Sequence, residues 1–121
     1  MSQYQRLTFE DHGDVTVVRC VDSRIQDQAL IRQWTDELND LVIQQEKHKL
    51  VMNLSNVQFL ASAALNKLVV LNRQLRKLGG AFVLAEIQGP IRDMFSVTNL
   101  DKVLPLAESE SEAIAMCTDA N

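Results

Sequence analysis

Hydrophobic positions in the first third of the chain change from a strand-like to a helix-like spacing. The β-rich runs LTF and VTVVRCV flank the polar segment EDHGD, whose Gly and Asp residues suit a hairpin connection. From about Asp27 to the segment QQEKHK, apolar side chains recur on one face of a helix, at Leu30, Trp34, Leu38, Leu41 and Val42. The pattern predicts two paired strands followed by an amphipathic helix with a buried Trp34.

Two nearly continuous apolar runs in the middle of the chain, KLVMNL and AFVLAEI, are typical of strands at the centre of a sheet. The segment between them has the spacing of a helix with a core-facing stripe, at Ala64, Leu68, Leu71, Leu75 and Leu78. Gly79 is the residue type that a helix C-terminus favours. We therefore expect a strand, a helix and a second central strand.

The last third of the chain predicts two further helices and a short strand. GPIRDMFSV places Pro90 in a first helical turn, VLPLA suits an edge strand, and Ser109 and Glu112 have capping-box spacing. Alternating strands and helices predict an α/β fold. We expect a single domain over residues 1–121, with a mixed, mostly parallel sheet of four to five strands, a β-hairpin edge and about four helices.

Composition and charge exclude several classes of function. The net charge is -4 and the sequence has no basic stripe, which argues against nucleic acid binding. Cys20 and Cys117 are too far apart for a disulfide framework or a zinc motif, so we expect reduced thiols and a cytoplasmic protein. No apolar run resembles a signal peptide or a membrane span, so we expect no direct membrane insertion.

Motifs for catalysis or metal binding are missing from the sequence. His12 and His48 have no partner at ligand spacing, so no metal site is predicted. A flavodoxin-like or receiver-like phosphotransfer domain would share the alternation of elements, but we find no phosphate-binding Gly-rich loop, magnesium-binding acidic cluster or nucleophile near a His. We expect no enzyme activity, no catalytic residue and no cofactor.

The segment FLASAAL lies where a strand C-terminus meets a helix N-terminus, the position at which α/β proteins place functional groups. Ser62 there has two interpretations. It could cap the helix, as Ser commonly does. It could also accept a phosphate, which the positive end of the helix dipole would stabilise. The sequence alone leaves both open.

The order and spacing of several segments resemble a STAS domain of the anti-sigma-factor antagonist type. The resemblance rests on VMNLSNVQFLASAALNKLVVL and LGGAFVLAEIQGPIRDMFSVTNLDKVLPL, and it covers nearly the whole chain. It implies a small regulatory protein without catalysis that binds an anti-sigma factor of the serine-kinase type or other STAS proteins. It also implies that phosphorylation at the start of this helix breaks the contact.

The chain departs from the family pattern where phosphorylation would occur. The acceptor in this family is usually the third residue of a D-S-S/T-G loop, and the match places Ala61, Ser62, Ala63 and Ala64 at its four positions. Alanine cannot accept phosphate, so the usual switch is predicted to be lost. Asn53 also replaces an acid that is common in the preceding strand. A second acid, expected after the hairpin, is either replaced by Gln26 or displaced to Asp27.

We therefore expect an anti-sigma factor antagonist that binds its partner without this phosphorylation switch. The predicted contact residues are Ser62, Ala63, Asn66, Lys67, Val70, Arg73, Glu86 and Gln88, the last two in the loop EIQGP. The alternative for the helix residues is an ordinary solvated face, to which an exposed Val70 would be an exception. The alternative for function is a STAS adaptor in a stressosome-like scaffold or a membrane transport ATPase.

Overall fold

The computed structural model describes residues 4–119. The strands are β1 (Leu7–His12), β2 (Val15–Cys20), β3 (Arg24–Ile25), β4 (Lys49–Asn53), β5 (Phe59–Leu60), β6 (Ala81–Ala85) and β7 (Leu106–Ala107). The α-helices are α1 (Gln28–Asn39), α2 (Ser62–Lys77), α3 (Gly89–Val97) and α4 (Glu110–Thr118). A π-helical turn at Asp40–Gln44 follows α1, and a 3-10 turn at Leu100–Lys102 follows α3.

The main sheet has five strands in the order β1-β2-β4-β6-β7. β1 and β2 pair antiparallel across a turn that contains Gly13 at φ +67°, a conformation that costs glycine little. The other neighbours pair in parallel, with Val17 opposite Val51 and Val51 opposite Val83. The predicted fold class is confirmed: residues 4–119 form a mixed, mostly parallel sheet with a hairpin edge and four α-helices.

Helices on both faces of the sheet create two apolar cores. The larger core joins one face to α1, α2 and α3, and it contains Trp34 without exposed surface, as predicted. The smaller core lies on the other face, where Cys117 of α4 is buried. Successive residues of β4 belong to different cores, with Leu50 and Met52 in the larger and Val51 in the smaller, because side chains alternate along a strand.

One residue of the predicted core stripe on α2 is placed wrongly by the sequence pattern. Leu78 is 44% exposed, because α2 ends at Lys77 and Leu78 is the C-cap. The chain then turns through Gly79 at φ +78°. The buried stripe therefore ends at Leu75, one turn earlier than predicted.

β1 is longer than predicted, because it continues through His12 into the segment EDHGD, which the pattern assigned to the hairpin connection. Two other predicted features agree with the structure. At the start of α4, the Ser109 hydroxyl accepts a hydrogen bond from the backbone N–H of Glu112 at 3.1 Å, as the capping-box spacing predicts. VLPLA contains the two-residue edge strand β7. No helix among residues 4–119 has both the length and the apolar character needed to span a membrane.

Candidate functional site

The N-terminal ends of the helices meet the carboxyl ends of the parallel strands at one edge of the sheet. The segments at this edge follow β2, β4, β6 and β7, and each leads to an α-helix. The segment after β4 reaches α2 through the short strand β5. In parallel α/β sheets this edge commonly carries the functional residues. The start of α2, which sequence analysis singled out, lies on it.

A small two-stranded sheet fixes where α2 begins. β3 and β5 pair in parallel, with Ile25 opposite Leu60, and the Ala61 N–H donates to the Ile25 carbonyl at 2.9 Å. Extended backbone therefore continues through Ala61, and Ser62 is the first helical residue. The interpretation of Ser62 as the helix cap is wrong, because Ala61 occupies the N-cap position and no side chain caps α2.

The outward face of α2 brings six predicted contact residues together. Its members are exposed and recur at helical spacing: Ser62, Ala63, Asn66, Lys67, Val70 and Arg73. Val70 is 49% exposed in the midst of polar and charged neighbours. Ala64, the fourth residue of the predicted loop, points into the core and has no exposed surface, so it cannot contact a partner.

Glu86 and Gln88 follow β6 and make contacts within the chain. Glu86 has φ +58°, and its carboxylate accepts a hydrogen bond from the Glu110 N–H at 2.8 Å, at the start of α4. Gln88 is exposed and donates through Nε2 to the Ser55 carbonyl at 2.6 Å. The Glu86 carboxylate is thus hydrogen-bonded to the start of α4. Gln88 connects the loop after β6 to the segment that leads to α2.

Asn53 belongs to a polar network that sequence analysis missed. Its side-chain Nδ2 donates to Glu110 Oε1 at 2.8 Å, and its side-chain Oδ1 accepts a hydrogen bond from the Ser55 N–H at 2.9 Å. Arg19 donates to the same Glu110 oxygen at 2.7 Å and to Glu10 at 2.6 Å, and it lowers the pKa of Glu10 below its usual value. An aspartate at position 53 could not donate, so the hydrogen bond to Glu110 requires the side-chain amide of Asn53.

Replacement of Asn53 by aspartate is expected to destabilise the fold by about 2 kcal/mol at neutral pH, because two carboxylates would then face each other. The pKa of the new carboxyl pair would be raised, so the penalty should be present above that pKa and disappear as the pH falls through it. Urea denaturation of wild type and N53D between neutral and mildly acidic pH would measure this. N53D combined with E110Q should recover much of the loss, and equal destabilisation at all pH values would contradict the proposed repulsion.

Both cysteine thiols are free and buried. Burial raises the pKa of the Cys20 thiol to about 12 and that of the Cys117 thiol to about 11, so both stay protonated at neutral pH. Asp27 caps α1 by accepting a hydrogen bond from the Leu30 N–H at 3.1 Å. Among residues 4–119, no three His, Cys, Asp or Glu side chains are grouped so that they could hold a metal ion.

Comparison with known proteins shows which family shares this architecture. The model of the STAS domain family matches residues 7–113. BtrV of Bordetella bronchiseptica, a candidate anti-sigma factor antagonist, is 27% identical over 110 residues, which cover 91% of this chain and 92% of BtrV. An anti-sigma factor antagonist from Mycobacterium paratuberculosis has a solved structure with a TM-score of 0.80 and 27% identity, covering 93% of each chain.

A third similarity is to the phosphorylated form of the Bacillus cell fate determinant SpoIIAA. The TM-score is 0.67 at 19% identity, and the match covers 91% of this chain and 97% of SpoIIAA. At this identity the similarity supports the fold alone. The family match begins at the first residue of β1 and spans every strand, α1 to α3 and the first turn of α4. The chain therefore belongs to the STAS domain family.

Proposed function

We propose that this protein is an anti-sigma factor antagonist, a cytoplasmic regulatory protein that acts by binding and has no catalytic step of its own. Its proposed partner is an anti-sigma factor of the serine-kinase type. Support comes from two relatives that match this chain over nearly its whole length and that bear the name anti-sigma factor antagonist.

The observation that carries the proposal is the exposed face of α2 around Ala63. Ser62, Ala63 and Lys67 project from the first two turns, and Val70 adds apolar surface one turn further on. Exposed apolar side chains within a polar rim are a feature of protein contact sites. Gln88 lies on the neighbouring loop and extends the proposed contact surface.

The usual phosphorylation switch is proposed to be lost, because position 63 is alanine. A phosphate at this place would add nearly two negative charges to a packed interface and oppose binding through repulsion and desolvation. Ala63 has no hydroxyl and cannot carry that charge. Ser62 is exposed and keeps a hydroxyl, so it is the remaining residue of the loop at which a kinase could act.

The partner can be identified by pull-down of the tagged protein from its native cells, followed by mass spectrometry. Recovery of a kinase-like anti-sigma factor is the expected result. Incubation of that partner with ATP and the protein would then show whether Ser62 is phosphorylated, with S62A as the control. Recovery of transporter subunits or other STAS proteins alone would contradict the antagonist proposal.

Substitution of Ala63 by glutamate is expected to weaken binding to the captured partner by roughly tenfold or more, because a charge would be placed within the contact. Titration calorimetry with purified proteins would measure the dissociation constant. A115E is a matched control, since Ala115 is exposed on α4, which packs on the opposite face of the sheet. Equal affinities of A63E and wild type would show that the contact surface lies elsewhere.

A further inference from the structure

A groove separates the exposed surfaces of α1 and α2. Leu38 and Leu71 are buried along it, whereas Ile43 and Val70 are 48% and 49% exposed at its sides. Its volume is about 400 Å³. The groove therefore offers a strip of apolar surface between two helices.

A second depression extends the groove toward the start of α2. The two share Thr35 and Lys67, and the second one reaches Ala63. From Ala63 to Gln74 the α2 axis covers roughly 16 Å, at 1.5 Å per residue. This length accommodates about three turns of another helix.

Ile43 is held in place by an irregular but anchored turn. It belongs to the π-helical segment after α1, in which the Gln45 N–H donates to the Asp40 carbonyl at 3.1 Å. Leu41 and Val42 on the same turn are fully buried. The exposure of Ile43 is therefore built into an ordered segment, and single π-helical turns often occur at functional sites.

The charge on α2 indicates what kind of partner fits. This helix carries Lys67, Arg73, Arg76 and Lys77 and no acidic residue, although the whole chain has a net charge of -4. Lys67 lines the groove itself, whereas Arg73 and Lys77 lie beside it, at a depression that shares Val70 and Gln74 with the groove. None of these four cations forms an ion pair within the described part of the chain. Arg32 adds a further cation on the α1 side, next to Asp36.

We propose that this groove binds an acidic amphipathic helix of the anti-sigma partner, with its apolar side chains between Ile43 and Val70 and its carboxylates near Lys67 and Arg73. The identity of the partner rests on the proposed function; the chemistry of the groove does not. Nucleic acid is disfavoured by the net charge and by the apolar sides of the groove.

Two synthetic helical peptides of about 16 residues test the groove without knowledge of the partner. They share one apolar stripe and carry either glutamates or lysines beside it. Each is titrated into the isotope-labelled protein and followed by amide chemical shifts. We expect the acidic peptide to shift the amides of Thr35, Ile43, Lys67 and Val70, with binding that weakens as salt is raised, and the basic peptide to leave them unchanged.

Variants of the groove separate its apolar and its charged contributions. The double variant K67E/R73E should weaken binding of the acidic peptide by roughly tenfold and favour the basic peptide instead. V70D should also weaken binding. K102E and V97D are the controls, because Lys102 and Val97 are exposed on the 3-10 turn and on α3, outside the groove. Neither control should change the affinity.

Several outcomes would overturn the proposal. One is that neither peptide shifts these amides, or that both shift them equally. Another is that duplex DNA shifts them. A third is that the protein associates with itself through this surface, so that V70D abolishes the self-association. Because peptide binding and partner binding are measured separately, the groove can fail while A63E still weakens partner binding. The proposed function can likewise fail while the groove binds the acidic peptide.

Discussion

Replacement of Glu37 by alanine is expected to lower the free energy of unfolding by about 3 kcal/mol. The Glu37 carboxylate accepts hydrogen bonds from the backbone N–H groups of Gln5, Arg6 and Leu7, at 3.0, 2.9 and 3.1 Å. Glu37 is buried, as is Leu7. Alanine would leave three N–H groups without their acceptor, that of the buried Leu7 where water reaches it poorly, and it would also release the start of β1 from α1.

Urea denaturation followed by the fluorescence of Trp34, the single tryptophan, would measure the loss. D36A is the matched control, because Asp36 is exposed on the same helix, and its change should stay within about 0.5 kcal/mol. Hydrogen exchange should show faster exchange of the Leu7 amide in E37A. Similar stabilities of E37A and D36A would show that the carboxylate does not hold β1.

Glu37 illustrates a contact that local sequence patterns do not reveal. In the sequence it is a polar residue beside the apolar stripe of α1, which predicts a solvated position. Its burial depends on residues about 30 positions earlier, whose N–H groups need an acceptor. The burial of Trp34 and Leu38 on α1 was predictable from their helical spacing. The same pattern placed Leu30 in the core, whereas the structure buries Ile31 and leaves Leu30 partly exposed.

In the rest of the fold, too, regular patterns of apolar residues were predictable from the sequence, whereas short elements and long-range contacts were not. The central position of β4 and β6 was predictable, because strands covered on both faces must be apolar at nearly every position. β3 and β5 were not predicted, because each has only two residues and neither shows a period. Their pairing nevertheless decides that Ala61 remains extended and that α2 starts at Ser62.

The exposed face of α2 was predictable because its opposite face is apolar at regular intervals. Ser62, Ala63 and Lys67 are the positions that remain when the core stripe is removed. The role of Glu110 was not predictable, since its contacts with Asn53 and Arg19 cross 57 and 91 positions of sequence. Acidic residues in the first turn of a helix are common, so their presence alone gives no sign of such a network.

Both ends of α2 are fixed by close backbone contacts, which matters for a helix proposed to present a binding surface. At its start the Ala61 N–H bonds to Ile25, and after its end the Ala81 N–H bonds to the His48 carbonyl at 2.9 Å. The sequence pattern predicted that α2 ends at Gly79. The structure shows that the following Gly80 is needed for a different reason.

Substitution of Gly80 by alanine is expected to destabilise the fold by about 3 kcal/mol, because an added Cβ would lie 1.8 Å from the His48 carbonyl oxygen and 2.7 Å from its carbon. Backbone atoms would have to move, and the hydrogen bond from Ala81 to His48 would be strained or lost. G79A is the informative comparison: a Cβ there meets nothing within 4 Å, and only the left-handed φ of +78° opposes it, at about 1 kcal/mol. Urea denaturation should rank G80A well below G79A in stability. The reverse order would show that the turn conformation at Gly79, and not the close approach of the His48 carbonyl to Gly80, limits the connection between α2 and β6.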